Sequence, residues 1–327
     1  MTLAKLAELA SVSVGTVSKA FKGSGEISKK TRNKIFEIAK KHGCFDKYYK
    51  APRKRPIIAL LAPEPEGEYY GNEIGILERA LYERGADTVI AFTRFDSQLE
   101  ARLFHVFAYE MKVDGFIIFG NGELIKNPDK IPIVAFAAPD NAPDNSDAVT
   151  FDTENAITEL MQLIKDYGHT NVGFIGEELT HQKKTLLRRA MRSVGLPVHD
   201  KYMVTSAKRF AEAGIDGMEQ LIDVGDLPSV IFAAYDEIAY GAMQYAEKRG
   251  YKIPDDISFV GMDDLLATPY LGTPLTSLHT ELEKISSLIA ELIFKKIENK
   301  HYVENSEIIV PVTTTIRESL KNLNENS

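Results

Sequence analysis

The stretch AELASVSVGTVSKAF, Ala7 to Phe21, decides how this chain is read. An alanine-rich, apolar-periodic helix from Leu3 to Leu9 runs into a short turn at Ser11-Val12-Ser13. A second short helix follows, with small and hydroxyl side chains and Lys19 on its outer face. This is the pattern of a helix-turn-helix, whose second helix is shaped to enter a DNA major groove. Ser13 is placed to cap that helix, accepting from the N–H of Gly15 or Thr16. A third helix is expected from Ser28 to about His42-Gly43, where glycine favours a stop. Its Ile35, Phe36, Ile38 and Ala39 would face Leu3, Leu6, Ala7 and Ala10 in a three-helix module.

Charge sharpens this reading. The chain as a whole is acidic, at −8. Residues 1–56 hold 14 of the 39 Lys and Arg but only 4 of the 47 Asp and Glu, a formal +10. The remaining 25 basic and 43 acidic residues leave the rest of the chain at −18. A small basic head on a large acidic body is the asymmetry of a nucleic-acid module joined to a sensing or catalytic one. The acidic body repels DNA from itself and favours one binding orientation.

With 327 residues, roughly two to three domains are expected. Cys44 is the sole cysteine, which excludes a disulfide framework and a thiolate metal cluster. No apolar run approaches the roughly 20 residues of a membrane span, and the chain enters a helix without a signal-peptide core. A cytoplasmic protein without membrane association and without a cofactor is expected.

Residues 44–56, CFDKYYKAPRKRP, read as a polar, basic connector, with Pro52 and Pro56 around Arg53, Lys54 and Arg55. From Ile57 the texture changes to short apolar runs alternating with amphipathic helices. Strands are expected at 57–61, 88–92, 115–119 and 131–136, then at 172–175, 202–205, 230–233 and 257–260. Helices such as 72–84, 154–167, 210–223 and 236–249 lie between them. Buried strands alternating with helices mean parallel βαβ units, here in two successive doubly wound lobes. Ligands in such folds bind at the carboxyl ends of the strands.

The segment TLAKLAELASVSVGTVSKAFKGSGEISKKTRNKIFEIAKKHG (2–43) resembles the DNA-binding head of the lac repressor/galactose repressor (LacI/GalR) family. Further similar segments are VDGFIIFG (113–120), VTFDTENA (149–156), YGHTNVGFIG (167–176), AYDEIAYGAM (234–243), IPDDISFVGMDD (253–264), TPLTSL (273–278) and the ending Thr315-Ile316-Arg317-Glu318-Ser319. The resemblance runs over essentially the whole chain. It implies an α/β protein: a helix-turn-helix head at 1–43, a hinge at 44–56, and a two-lobed core at 57–327 like periplasmic sugar-binding proteins. The first lobe would comprise about 57–152 plus 281–309, and the second about 153–280 plus 310–327. It also implies a homodimeric transcriptional regulator, a repressor of carbohydrate-utilisation genes. Such a protein binds double-stranded operator DNA under control of a sugar or sugar phosphate held between the lobes.

Carried over by position, Val14, Gly15 and Lys19 fall where the family reads bases. A lysine donates to guanine, and a valine offers methyls to thymine. Thr2, Ser13, Thr16, Ser18, Ser28 and Thr31 match positions that touch phosphates, which fix register without reading sequence. Ser13 and Ser28 also read simply as helix caps. Lys22 falls where asparagine is common in the family and is counted with the DNA contacts. The hinge departs from the family's pattern. Its minor-groove leucine is replaced by Arg53, behind Pro52, which would disrupt a helix interior. Arg53–Arg55 would then follow phosphates or enter a narrow minor groove; a merely flexible linker is the competing reading.

In the body, the resemblance assigns effector-binding positions to Phe151, Lys183, Phe210, Tyr235 and Asp263. Asp263 would accept hydroxyl protons, and Phe151 and Phe210 would stack on a sugar face. Lys183 stands where relatives carry arginine, Tyr235 where they carry asparagine, and Ala137 where they carry aspartate. Lys183 with Lys184 and Arg188 would favour an anionic ligand, unless this is only a basic helix surface. Asp263 would otherwise cap the loop after a strand. The tail after Val312 lacks a sustained heptad, which argues against a tetramerising coiled coil. Enzymes are the first rival class, but the chain lacks HExxH, a G-x-S-x-G elbow, a Walker loop and a G-x-G-x-x-G fingerprint. A secreted sugar-binding protein and a regulator gated by a protein partner are the others.

Overall fold

A computed structural model of the chain describes residues 1–22, 26–49, 55–120, 122–136, 142–143, 146–299 and 306–326. The chain divides into two compact units, Met1–Pro56 and Ile57–Ser327.

The first unit opens with helices α1 (Leu3–Ala10), α2 (Val14–Phe21) and α3 (Lys29–Lys41). Each starts at a hydroxyl cap. Thr2, Ser13 and Ser28 accept from the N–H of Lys5, Thr16 and Thr31 at 3.3, 3.0 and 3.2 Å. Ser11 takes a left-handed conformation, φ 58°, and turns the chain between the first two helices. Leu6, Ala7, Ala10, Val17, Ala20, Phe21, Ile35 and Ala39 form the core, with Leu3, Phe36 and Ile38 half-buried at its edge.

The head does not end where its third helix does. The connector read from residue 44 is in its first part a fourth helix, α4 (Phe45–Tyr48), packed back onto the head. Phe45 stacks on Tyr49 with centroids 4.6 Å apart and meets Phe36 edge-on at 5.1 Å. Tyr49 also meets Phe36, at 5.0 Å, and Tyr48 meets Phe21 at 5.7 Å. The Tyr48 hydroxyl donates to the Met1 carbonyl at 2.6 Å. The charged residues between these aromatics mask the apolar side they share. Arg53 and Lys54 lie outside the described residues.

The second unit contains two sheets. The chain begins in the first lobe with β1 (Ile57–Ala62), α5 (Glu68–Glu83), β2 (Asp87–Phe92), α6 (Ser97–His105), β3 (Gly115–Phe119), β4 (Ile133–Phe136) and β5 (Asp147–Phe151). It continues in the second with α7 (Thr153–Asp166), β6 (Val172–Glu177), α8 (His181–Ser193), β7 (Met203–Ser206) and α9 (Phe210–Asp223). There follow β8 (Val230–Ala233), α10 (Asp236–Lys248), β9 (Ser258–Met262) and β10 (Thr276–His279). Helix α11 (Leu282–Glu298) and β11 (Glu307–Val310) return to the first lobe, and β12 (Thr313–Thr315) ends in the second.

The sheet orders are β11-β5-β4-β3-β1-β2 and β12-β10-β9-β8-β6-β7. All pairings are parallel except β12 against β10. The central strands read as continuous apolar runs because helices cover both their faces. Each sheet has six strands rather than the four expected. The additional β5, β10, β11 and β12 are short or lie at an edge, and their threonines, serines and acids break the apolar signal. The chain crosses between sheets three times, after β5, after β10 and after β11.

One close approach sets the aim of the site. A Cβ on Gly214 of α9 would lie 2.0 Å from the Ile238 carbonyl oxygen, and one on Gly241 of α10 would lie 1.9 Å from that of Ala211. Only glycine lets these two backbones touch, which sets the first turns of α9 and α10 against each other.

Two tests follow from this packing. Replacing Phe45 by alanine should cost about 2 kcal/mol of head stability, since it empties an aromatic cluster around Phe36 and Tyr49. Hydrogen exchange of α1–α3 amides in the full chain should read this as faster opening. Glu73 of α5 is fully buried, with only the Ser286 hydroxyl donating to it among the described residues, and burial pushes its pKa up to about 7. A carboxyl raised in this way contributes stability at low pH that is lost as pH climbs from its unfolded value toward 7. Glu73→Gln should therefore raise the unfolding temperature at pH 8, by about 2–3 kcal/mol of stability, and leave it near parent at pH 5.

Candidate functional site

Two surfaces carry chemistry, one in each unit. In the head, Thr2, Ser13, Val14, Gly15, Lys19, Lys22 and Ser28 are exposed, and Thr16, Ser18 and Thr31 are half-buried. Val17, Ala20 and Phe21 bury the inner face of α2, so the opposite face presents Val14, Gly15, Ser18 and Lys19 outward. A methyl on Gly15 would meet only Ser13 Oγ, at an ordinary 3.6 Å, so head packing does not require glycine there. Ser13 and Ser28 act as caps and also meet the Thr16 and Thr31 hydroxyls at 2.9 Å. Lys19 pairs with Glu26 at 2.5 Å, both of them exposed.

In the body, a cavity of about 340 Å³ opens where the carboxyl ends of strands from both sheets meet. Phe151, Lys183, Phe210, Tyr235 and Asp263 all line it. Phe151 is the last residue of β5, Lys183 lies in the first turn of α8, and Phe210 opens α9. Tyr235 precedes α10, and Asp263 follows β9. Ala137 lies outside the described residues.

The two aspartates after β9 divide their work. Asp264 is tied down: Arg317 donates to it at 2.7 Å, Thr268 at 3.0 Å and Thr315 at 3.2 Å. Asp236, wholly buried at the start of α10, accepts from the Leu265 N–H at 2.8 Å and the Ser277 hydroxyl at 2.7 Å. These bonds hold the loop in positive φ, 106° at Asp263 and 49° at Asp264. Asp263 is thereby turned into the cavity. Burial and the Glu237 charge push its pKa up to about 6, against the opposing pull of Lys183. Lys183 donates to the Ala234 carbonyl at 2.9 Å and stands 5.7 Å from the centre of the Tyr235 ring. The Tyr235 hydroxyl accepts from the Phe210 N–H at 3.2 Å.

Lys184 and Arg188 do not join them. Lys184 donates to the Thr205 hydroxyl and Arg188 pairs with Asp200, and neither lines the cavity. The basic run splits because residues one and five places beyond Lys183 point away from its side of the helix.

The centre of the cavity escaped the sequence reading. Arg209 joins Glu64, just after β1, to Glu177, at the end of β6. Its guanidinium bonds Glu64 twice, once at 2.8 Å, and Glu177 from Nε at 3.1 Å. It lies 4.5 Å from the Phe210 ring centre and 5.9 Å from that of Phe95. Glu64 and Glu177 are 7% and 2% exposed, while the Arg209 side chain keeps 36% of its surface, so two buried carboxylates share one half-exposed guanidinium across the lobes. A second bond crosses alongside it, from the Glu68 N–H to Glu237 at 3.1 Å. Tyr69 and Tyr70 of α5 complete the wall, their hydroxyl pKa values raised by burial. The signal available for these residues was the EPEGEYYG run (64–71), acidic and aromatic at the carboxyl end of a strand.

Gly67 sits at the lips of the cleft with φ 83°, and a Cβ there would lie 2.7 Å from Phe210. Gly67→Ala should strain this turn and press the Phe210 ring aside. The expected loss is about 1–2 kcal/mol, a fall of several degrees in unfolding temperature. An unchanged melting point would refute the strain.

Known proteins match both units of the chain. Residues 2–44 match the family described as bacterial regulatory proteins, lacI family, and residues 161–320 match a periplasmic binding protein-like domain. The chain is similar to catabolite control protein A of Priestia megaterium, 28% identical over 98% of this chain and 99% of that protein. Among solved structures it is similar to a lac repressor dimer bound to operator and the anti-inducer ONPF. Identity there is 18%, the TM-score is 0.73, and 98% of this chain and 99% of the other are covered. It is likewise similar to a complex of the transcriptional regulator CelR with cellobiose, at 23% identity and TM-score 0.68 over 98% and 99% of the two chains.

Proposed function

Since this chain belongs to the LacI family of bacterial regulatory proteins, we propose that it is a repressor of carbohydrate-utilisation genes whose operator affinity is set by a small sugar in the cleft. It is a DNA-binding transcriptional regulator. Its relatives are regulators rather than enzymes, and no described helix is long and apolar enough to cross a membrane. We place it in the cytoplasm, with its operator.

On this reading α2 lies in the major groove, where Val14, Gly15 and Lys19 meet base edges. Thr2, Ser13, Thr16, Ser18, Lys22, Ser28 and Thr31 meet phosphates, each hydroxyl cap donating outward while accepting from its helix. Arg53, outside the described residues, is counted with these DNA contacts. The observation that carries the effector half is Asp263, turned by its loop into a cavity with Phe151, Phe210 and Tyr235 and held there by bonds made elsewhere. A carboxylate accepts two hydroxyl protons, and an aromatic face covers the apolar side of a sugar ring. The regulator bound to cellobiose supports this kind of ligand. A dimer fits the chemistry of the second lobe, where Leu266 and Tyr270 are 69% and 86% exposed and pairing would cover them. The effector acts only through its unequal affinity for open and closed arrangements of the lobes.

Lys19→Ala tests the head. It should lower affinity for the cognate operator by about 1–3 kcal/mol and relax preference at one base pair. The unfolding temperature should stay near parent, because the lost Glu26 partner is an exposed pair worth about 0–1 kcal/mol. Fluorescence anisotropy with operator variants measures this. Equal loss on every sequence would reassign Lys19 to a phosphate.

A further inference from the structure

The charge inside the cavity goes beyond a site for neutral hydroxyls. Among the described residues five carboxylates line it, against the two cations Lys183 and Arg209. Arg209 is consumed by Glu64 and Glu177. Among the described residues three carboxylates remain, those of Asp263, Glu237 and the exposed Glu66, with one ammonium, that of Lys183, already bonded to the Ala234 carbonyl. Glu237 accepts one backbone N–H. Asp263 accepts no side-chain or backbone donor among the described residues. Burial, above all, pushes its pKa up to about 6; Lys183 pulls it down and Glu237 adds to the rise.

The walls suit a cation as well. Tyr69, Tyr70, Phe151, Phe210 and Tyr235 line the same cavity as Asp263 and Glu237. The negative face of an aromatic ring attracts an ammonium or guanidinium within about 6 Å. The protein already uses this chemistry once in the same cavity: the Arg209 guanidinium sits between two carboxylates and against the rings of Phe210 and Phe95. An anionic sugar would enter against surplus negative charge. A neutral sugar would leave that charge uncompensated in a space from which it expels water.

We propose that the effector carries an ammonium group together with its hydroxyls, the chemistry of an amino sugar, with the ammonium seated between Asp263 and Glu237 against the aromatic wall. This rests on the cleft being the effector site. The cavity is large enough for such a ligand, at about 340 Å³.

Matched pairs isolate the charge from sugar stereochemistry. Calorimetric titration of the full chain would use glucosamine with glucose, galactosamine with galactose, and mannosamine with mannose, plus glucose 6-phosphate. In the pair that fits, the amine should bind at least about tenfold tighter than its neutral partner, and glucose 6-phosphate should not compete. Asp263→Asn should bring that ratio to about one, because it removes the charge that distinguishes the two members of the pair, even where the lost hydroxyl acceptor weakens both. Thermal unfolding of the variant checks that it folds. Equal or tighter binding of the neutral member, or of the phosphate, would overturn the charge inference and leave the effector site standing. Absence of binding by every sugar would overturn the effector reading together with it.

Discussion

Arg209 is the constraint on which the sensing half of this protein turns. Its guanidinium is shared between Glu177 of its own lobe and Glu64 of the other, both carboxylates almost without solvent. Charges this dry are tolerated only in company. Removing the guanidinium would leave two buried carboxylates near each other without compensating charge. The bridge therefore favours the arrangement in which the lobes meet, and a ligand joins an equilibrium that the chain has already biased. It also fixes the space left to the ligand, because the rings of Phe95 and Phe210 are spoken for on the side where the guanidinium lies.

The rest of the cleft is built by division of labour between neighbours. Asp264 and Asp236 accept the bonds that shape the loop after β9, and Asp263 is left over to face inward. Gly214 and Gly241 bring α9 and α10 into backbone contact, which brings Phe210 and Tyr235 together with their ring centres 6.1 Å apart. The similar segments near the end of the chain have their reason here. Arg317 holds Asp264, while Ser319 donates to the Phe259 carbonyl and accepts from the Thr276 N–H, stitching the tail to β9 and β10.

How much of this could be read from residues alone depended on the range of the interaction. Hydroxyl caps at Ser13 and Ser28 act over three residues and were visible, as were the apolar runs of the central strands. Phe151, Lys183, Phe210, Tyr235 and Asp263 were assignable one by one, and the fold brings all five to one cavity. Arg209 was invisible because its partners lie 145 and 32 residues away and nothing local marks it. The docking of Phe45, Tyr48 and Tyr49 on the head was hidden for a different reason. Its aromatic spacing is interrupted by charged residues, so composition reads as linker while packing reads as core.

The three crossings between the sheets have a mechanical meaning. A single connecting strand would act as a swivel, letting the lobes twist and slide as well as part. Three strands side by side resist torsion and shear and yield most readily about one line, like a door hung on several pins. Whatever occupies the cleft is then converted into one quantity, the angle of the joint, rather than into a scatter of orientations. A molecule that must report chemical identity to a separate pair of helices gains from that economy: its input has many atoms, and its output needs only one coordinate.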